Sequence, residues 1–277
     1  MKSTIYTYNE KLNYFTTQIG NQMMCFYLTK TDAKKYKGLL YPGTLIDFEV
    51  LDQEKTIDKR KCLRVSHFNK IQIRRTRGLH TIFDIKDIKR DIIKVMWRFK
   101  HYLFIDIEMS MPSYYHTGTY QSEIIQVGYI LTDKQLNIIK KDEYYIKPAF
   151  GRLVSKRTLR FLNIDRSVFK DAKDYNYFYD DLKHMMETYK PKLVVWGRND
   201  ILVLKDSYKL HKKDAITAPR QFINLLQIHK NYFNLQSDLG LFKAYETYYN
   251  KSLDQSHDAY KDAYITMEVF KYFRSLK

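Results

Sequence analysis

Two acidic residues directly follow a run of apolar residues that is typical of a buried strand. The run occupies residues 102–105, and it is followed by Asp106 and, two positions later, by Glu108. Because residues i and i+2 of a strand face the same side, we expect these two carboxylates to project together. Carboxylate oxygens are the ligands that Mg²⁺ and Mn²⁺ prefer. The spacing therefore permits a divalent metal site, although a solvated pair on an edge strand would have the same spacing.

Three further residues that could take part in metal binding or acid–base chemistry lie where helices are predicted to begin. The apolar run at 192–196 is followed by Gly197 and then by Asp200, after which a helical pattern starts. Near the C-terminus, His257 and Asp262 open a segment whose apolar residues recur at helical spacing. Taken alone, Asp200 is best explained as a helix N-cap, and a lone His and Asp on a helix are usually structural.

The order of these motifs resembles that of the DEDDh exonucleases, a branch of the ribonuclease-H-like superfamily. An Asp-x-Glu on a first strand precedes an Asp after a Trp-Gly strand end, and a His-x4-Asp opens the last helix. The resemblance covers residues 101–273, with 123–130 as a second strand and 161–164 where the family has a Thr-Gly-Ile turn. The Met-Pro pair at 111–112 and the run 195–200 are similar to the KapD and RNA-trimming exoribonuclease group.

The resemblance implies an α/β fold, with a ribonuclease-H-like mixed sheet flanked by helices, and a metal-dependent 3′→5′ exonuclease activity. In such a site, two Mg²⁺ or Mn²⁺ ions lie about 3.5–4 Å apart. The residues that would bind them are Asp106, Glu108, Asp200 and Asp262. His257 would be the general base. Met109 resembles the position that contacts the terminal nucleotide, and packing in the cleft wall is an equal alternative for it.

The four carboxylates of this predicted site would repel one another strongly without metal. We therefore expect the pKa of at least one of them to be raised, and we expect the same negative charges to raise the pKa of His257. An unperturbed histidine, with a pKa of about 6.5, suits the task of a general base at neutral pH.

The first 75 residues have the pattern of a small β-barrel that precedes the predicted exonuclease domain. Short runs of aromatic and β-branched residues are separated by turn signals such as Gly20-Asn21 and Pro42-Gly43. This pattern favours an OB-type barrel, and the order of the strands resembles that of a cold-shock domain. We expect residues 1–75 to bind nucleic acid. Candidate stacking residues, each of which could instead lie in the core, are Tyr14, Phe15 and Phe26.

A basic segment at 76–100 is predicted to be a helical linker between this barrel and an exonuclease domain at 101–277. From Asp84 onward, apolar residues recur at helical spacing. Arg74 and Arg75 stand just before the segment and are candidate substrate-binding residues. A solvated charged face is at least as good an explanation of these basic residues.

The net charge of +17 favours a polyanionic partner, either nucleic acid or an anionic membrane. No apolar run approaches the length of a transmembrane helix, and the first 15 residues lack the apolar stretch of a signal peptide. Nucleic acid is therefore the favoured partner, and a cytoplasmic location is expected. Cys25 and Cys62 have no paired metal-ligand spacing, so we expect two reduced thiols.

Single-stranded RNA is the expected substrate, because both the resembled group and the barrel favour it. A DNA-directed 3′→5′ exonuclease is the first alternative, since contacts to the 2′-hydroxyl decide between the two and the sequence does not show them. The second alternative is an inactive protein that only binds nucleic acid. A third is that the barrel binds protein, although the sequence names no protein partner.

Overall fold

The computed structural model describes residues 1–149, 153–253 and 257–276. The chain divides into two units, Met1–Ile92 and Ile93–Lys277, and each unit has its own sheet. The limits 1–75 and 101–277 that the sequence suggests for two domains stay predictions. None of the helices in the described ranges combines the length and the apolar character needed to span a membrane.

Five strands of the first unit close into a barrel. The strands and the first helix of this unit are β1 (Lys2–Asn9), β2 (Tyr14–Ile19), β3 (Gln22–Tyr27), α1 (Lys30–Lys35), β4 (Leu45–Ile57), β5 (Arg60–Arg75) and β6 (Gly78–Asp84). Helix α2 (Ile85–Met96) follows and contains the division between the two units. The sheet has the order β3-β2-β1-β4-β5-β6, and parallel pairing of β3 with β5 closes the barrel. The prediction of an OB-like barrel in the N-terminal part is confirmed.

Aromatic side chains fill the interior of this barrel. Phe15 of β2 and Phe26 of β3 lie opposite each other in the strand register, and both are 0% exposed. Tyr14 is also buried, and its hydroxyl donates a hydrogen bond to Oδ2 of Asp58 at 2.8 Å. The prediction that Tyr14, Phe15 and Phe26 stack on bases is therefore wrong. Closure of the barrel encloses both phenylalanines, and Tyr14 packs where β3 meets β5.

Cys25 and Cys62 form a disulfide bond across the two parallel strands that close the barrel. The register places them opposite each other, with their Cα atoms 4.4 Å apart. The expectation of two reduced thiols is corrected by this contact. The cysteines are separated by 37 positions in the sequence, and only the pairing of β3 with β5 brings them together.

The stretch predicted as a helical linker, 76–100, contains a strand before its helix. β6 pairs antiparallel with the end of β5, and the hairpin exposes Arg74 and Arg75. Helical structure starts only at Ile85, where α2 begins. The prediction of helix is wrong for 78–84, because these residues make ladder hydrogen bonds to β5 instead. Contact of Arg74 and Arg75 with substrate stays a prediction.

A five-stranded mixed sheet is the centre of the second unit. Its strands are β7 (His101–Met109), β8 (Ile124–Asp133), β9 (Ile138–Tyr145), β10 (Lys192–Val195) and β11 (Phe222–Asn224). The sheet has the order β11-β10-β7-β8-β9, with β7, β8 and β9 antiparallel and with β10 parallel to both β7 and β11. The helices are α3 (Lys156–Leu162), α4 (Tyr175–Thr188), α5 (Asn199–Leu210), α6 (Leu225–Phe233), α7 (Leu241–Tyr249) and α8 (Ala259–Ser275). This is the mixed sheet with helices that the sequence predicts.

Strand β7 sends alternate side chains to two helical layers. Leu103 and Ile105 belong to a core that includes residues of α4 and α5. Tyr102 and Phe104 point the other way, and their ring centroids lie 4.9 and 5.3 Å from that of Phe270 in α8. The even-numbered positions of β7 therefore face α8, and this alternation positions the acidic residues that follow.

Candidate active site

Asp106 and Glu108 lie on the face of β7 that α8 covers. They continue the alternation of Tyr102 and Phe104, because residues two apart in a strand share a face. Glu108 is only 9% exposed. The two carboxylates thus point in the same direction, as predicted. They are enclosed because β7 lies in the middle of the sheet, where α8 covers it.

Gly128 of β8 lets the first turn of α8 approach the sheet directly. A Cβ atom at this position would lie 2.1 Å from the backbone nitrogen of Tyr260. Gly128 is opposite Asp106 in the register of β7 and β8. The start of α8 is therefore held over the carboxylates of β7, with His257 just before the helix and Asp262 in its first turn.

Glu108, His257 and Asp262 meet in one cluster. One potential ligand atom of each lies within 4.8 Å of the others. Nδ1 of His257 is 3.9 Å from Oε1 of Glu108. Asp258, which is the N-cap of α8, accepts a hydrogen bond from the backbone N–H of Lys261 at 2.7 Å. The helix start thus contributes an imidazole and two carboxylates to the same small region.

Asp200 reaches this region from α5, which follows β10. Gly197 takes a positive φ of +120° in the turn from strand to helix, a conformation that favours glycine. Asp200 is 6% exposed, and its Oδ1 accepts a hydrogen bond from the backbone N–H of Ile107 at 3.2 Å. The N-cap position of α5 is Arg198, so the explanation of Asp200 as an N-cap is wrong.

Burial raises the pKa of all four carboxyl groups, and repulsion between them adds to the shift for Asp106, Glu108 and Asp262. Burial, followed by the charges of Asp200, Asp262 and Glu108, raises the pKa of Asp106 well above its usual value. Burial is also the main reason why the pKa of Glu108 rises to about 7 and that of Asp262 to about 8. The pKa of Asp200 is raised by burial to about 6. The predicted raised pKa is confirmed, and the structure brings the four groups together.

The pKa of His257 is lowered, because its imidazole is partly buried. The expectation of a raised pKa is wrong, since burial of the ring disfavours the charged imidazolium and lowers the pKa. Phe161 of α3 covers one side of the imidazole, with ring centroids 3.9 Å apart and planes at 25°. A neutral imidazole is therefore favoured at neutral pH.

Two residues of this site were missed by the sequence analysis. Phe161 lies in the segment that resembles a turn of the family, and no pattern in the sequence marks its contact with His257. Asp258 adds to the raised pKa of both Glu108 and Asp262. Its place before a helical run is a typical N-cap signal, which could have identified it.

The donor set of the cluster fits a divalent cation. Carboxylate oxygens are the ligands that hard divalent cations prefer. Oδ1 of Asp262 is buried and has no hydrogen-bond partner among the residues that the structure describes. A buried carboxylate oxygen is costly in this state unless it is protonated or bound to a cation. The residues present are thus suited to hold metal.

A cleft of roughly 410 Å³ opens beside Met109, at the end of β7. Its other lining residues come from the segment after β7 and from α5: Tyr120, Gln121, Ser122, Asn199, Leu202, Val203 and Asp206. Met109 is half-buried in the wall of this cleft. Contact with a nucleotide and packing in the wall are both compatible with that position, so its role stays a prediction.

Comparison with protein families gives a match over most of the second unit. The model of the RNase_T family, described as an exonuclease, matches residues 103–270. A curated relative is the "Probable 3'-5' exonuclease KapD" of Bacillus subtilis (strain 168). It is 26% identical over 170 residues, which are 61% of this chain and 82% of the relative. The matched region contains all the residues of the acidic cluster.

Solved structures share the fold of this region. The nuclease domain of 3'hExo, a DEDDh family member bound to rAMP, has a TM-score of 0.54 at 17% identity, with 62% of this chain and 90% of that chain covered. A 3'-exonuclease that recognises a histone mRNA stem-loop gives 0.56 at 15% identity, with 64% of each chain covered. E. coli Exonuclease I in complex with a dT13 oligonucleotide has a TM-score of 0.52 at 18% identity, with 64% of this chain and 41% of that chain covered. This chain spans less than two thirds of the last two structures.

Proposed function

Because the chain belongs to the RNase_T exonuclease family, we propose that it is a metal-dependent 3′→5′ exonuclease of single-stranded nucleic acid, with RNA as the preferred substrate. One observation carries the proposal. Carboxylates from β7, α5 and α8 converge beside the imidazole of His257, in a region where each of them has a raised pKa.

Four carboxylates would hold two divalent cations, either Mg²⁺ or Mn²⁺. They are Asp106, Glu108, Asp200 and Asp262. When bound, such ions lower the pKa of an attacking water and stabilise the leaving 3′-oxygen. The buried carboxylates have raised pKa values without metal, and the orphaned Oδ1 of Asp262 supports a cation as their natural partner.

His257 would act as the general base that accepts the proton of the attacking water. Its lowered pKa keeps the imidazole neutral at neutral pH, which is the form that can accept a proton. The stacked ring of Phe161 and the nearby Oε1 of Glu108 limit the directions in which the imidazole can turn. His257 thus faces the same region as the carboxylates.

RNA is proposed over DNA because of the likeness to the 3'-exonuclease that recognises a histone mRNA stem-loop and to the DEDDh nuclease domain bound to rAMP. The likeness to an exonuclease bound to dT13 supports DNA as the second candidate. The chemistry at the phosphate is the same in both cases, and the two differ in contacts to the 2′-hydroxyl. Substrate preference therefore has to be measured on matched strands.

The test uses 5′-labelled single-stranded RNA and DNA of the same sequence, with Mg²⁺ or Mn²⁺ and with EDTA as a control. We expect products that shorten stepwise from the 3′ end, more rapidly for RNA, and no products in EDTA. Asp106→Ala should abolish shortening, whereas Asp171→Ala, at an exposed carboxylate of the same unit, should not. Activity in EDTA, or full activity of Asp106→Ala, would contradict the proposal.

A further inference from the structure

An aromatic loop begins immediately after β7, the strand that carries Asp106 and Glu108. It occupies residues 110–123, between β7 and β8, and its one acidic residue, Glu123, is buried. Tyr114 is 65% exposed, although tyrosine side chains of folded proteins are usually more buried than that. The ring of Tyr114 therefore lies at the surface, six positions after Glu108 in the sequence, and does not contribute to the core.

Hydrogen bonds fix the start of this loop to α3. The backbone N–H of Met111 donates to Oγ1 of Thr158 at 2.9 Å. The hydroxyl of Ser155 donates to the carbonyl of Met111, also at 2.9 Å. Ser155 is the N-cap of α3, and its Oγ also accepts from the backbone N–H of Thr158. The loop is thus anchored at the N-terminus of a helix that itself contacts the active site.

Helix α3 connects the loop to the general base. The guanidinium carbon of Arg157 lies 5.5 Å from the centroid of the Tyr114 ring. Phe161, one turn further along, shares the face of Arg157, because residues four apart in a helix are neighbours. Phe161 is 47% exposed and stacks on the imidazole of His257. Tyr114, Arg157 and Phe161 therefore form one continuous surface, called here the α3 track, that ends at His257.

We propose that the α3 track binds the unpaired nucleotides on the 5′ side of the scissile phosphate. The inference rests on the proposed function, and it adds the place where the rest of the strand is held. Exposed aromatic rings offer stacking surfaces to bases, and a guanidinium pairs with phosphate. Helix α3 supplies positive charge, with Lys156, Arg157 and Arg160 and no acidic residue. Its charge and its continuity with the general base fit a nucleic-acid strand.

The track predicts base-dependent binding, which separates stacking from a merely structural role. Two fluorescent RNA strands of about 12 nucleotides are compared, a length within the range of single-strand sites. One is complete, and the other lacks the bases of all nucleotides except the last two at the 3′ end. Fluorescence anisotropy in EDTA gives the Kd of the 277-residue chain for each strand without cleavage.

Tyr114→Ala should raise the Kd for the complete strand about tenfold, and it should leave the Kd for the abasic strand unchanged. Arg157→Gln should weaken the binding of both strands and reduce the salt dependence of binding, because the proposed contact of Arg157 is with phosphate. The matched control is Tyr177→Ala. Tyr177 is 44% exposed and has Nζ of Lys173 5.0 Å from its ring, but it contacts β9 through Tyr144.

The proposed binding by the α3 track would be overturned if Tyr114→Ala lowered the affinity for both strands equally, or for neither. Shortening is then read separately after addition of Mn²⁺ to the same samples. Base-dependent binding without shortening would uphold the track and overturn the exonuclease function. Shortening by a protein whose binding ignores Tyr114 would uphold the function and overturn the track.

Discussion

At the scale of single residues, the acidic cluster makes the metal-free site costly at neutral pH. In the unfolded chain, carboxyl groups lose their protons at about pH 4. In the folded protein, Asp200, Glu108 and Asp262 keep theirs up to a pKa of about 6, about 7 and about 8. Because the folded state binds more protons than the unfolded state in this window, its stability falls as the pH rises through it.

We expect the melting temperature of the protein in EDTA to fall between about pH 5 and about pH 8 because of these groups. Mn²⁺ should raise the melting temperature most at the upper end, where competition from protons is weakest. Asp262→Asn removes the group with a pKa of about 8 and should reduce both effects. Differential scanning fluorimetry measures the melting temperature in EDTA, with Mn²⁺ and for the Asp262→Asn variant. A melting temperature that rose with pH and ignored Mn²⁺ would speak against the cluster.

Substitutions of His257 and Asp106 are expected to have different effects on activity and on metal binding. His257→Ala should lower kcat by about 10²–10⁴-fold, the range for a lost general base, and retain stabilisation by Mn²⁺. Asp106→Ala should lose both activity and stabilisation by the metal. His184→Ala, at an exposed histidine of α4, should match the wild type in both assays. Equal and full activity of the first two variants would remove both assignments.

The sequence predicted the charged members of the candidate site but not their surroundings. Asp106, Glu108, Asp200, Asp262 and His257 stand out because acidic and imidazole side chains at strand and helix ends form a recognisable order. The lowered pKa of His257 could not be predicted, since it depends on burial by α3. Desolvation is a property of the packed molecule, and the sequence shows only which charges could be near.

At the scale of elements, the contact between β8 and α8 positions the site. We expect Gly128→Ala to push the first turn of α8 away, because a Cβ there would lie 2.1 Å from the backbone of Tyr260. Overpacking of this kind costs about 1–3 kcal/mol, and displacement of the helix start should also lower activity. Gly240→Ala is the control, since a Cβ there meets nothing within 4 Å. Urea unfolding measures the loss of stability, and shortening of a labelled strand measures the loss of activity. Wild-type values of both for Gly128→Ala would contradict the idea that Gly128 positions the start of α8.

Strands and helices were predictable where an apolar pattern is long and local. β7, β10 and α8 were found in this way, because buried runs and helical spacing appear directly in the sequence. The strand at 78–84 was missed, since its stability comes from pairing with β5. The sequence left the burial of Phe15 and Phe26 open as an alternative to stacking, and it did not show the disulfide bond, because all three depend on how distant strands close the barrel.

At the scale of the whole molecule, a chain with a net charge of +17 contains a group of buried and half-buried carboxylates. The overall charge attracts a polyanion over distances of about the Debye length, roughly 8–10 Å at physiological salt. The carboxylates would repel the phosphate of the same polyanion at close range. Divalent cations bound by the cluster would neutralise the carboxylates and let the phosphate approach, and the proposed function depends on such binding.

The most direct measurement is anomalous diffraction at the manganese absorption edge, from crystals of the 277-residue chain grown with Mn²⁺. We expect anomalous peaks surrounded by carboxylate oxygens of Asp106, Glu108, Asp200 and Asp262, next to the imidazole of His257. Asp171→Ala crystals should show the same peaks, and Asp106→Ala crystals should have lost them or show them weakened. Absence of manganese from this cluster, or its presence only at other carboxylates, would contradict the account.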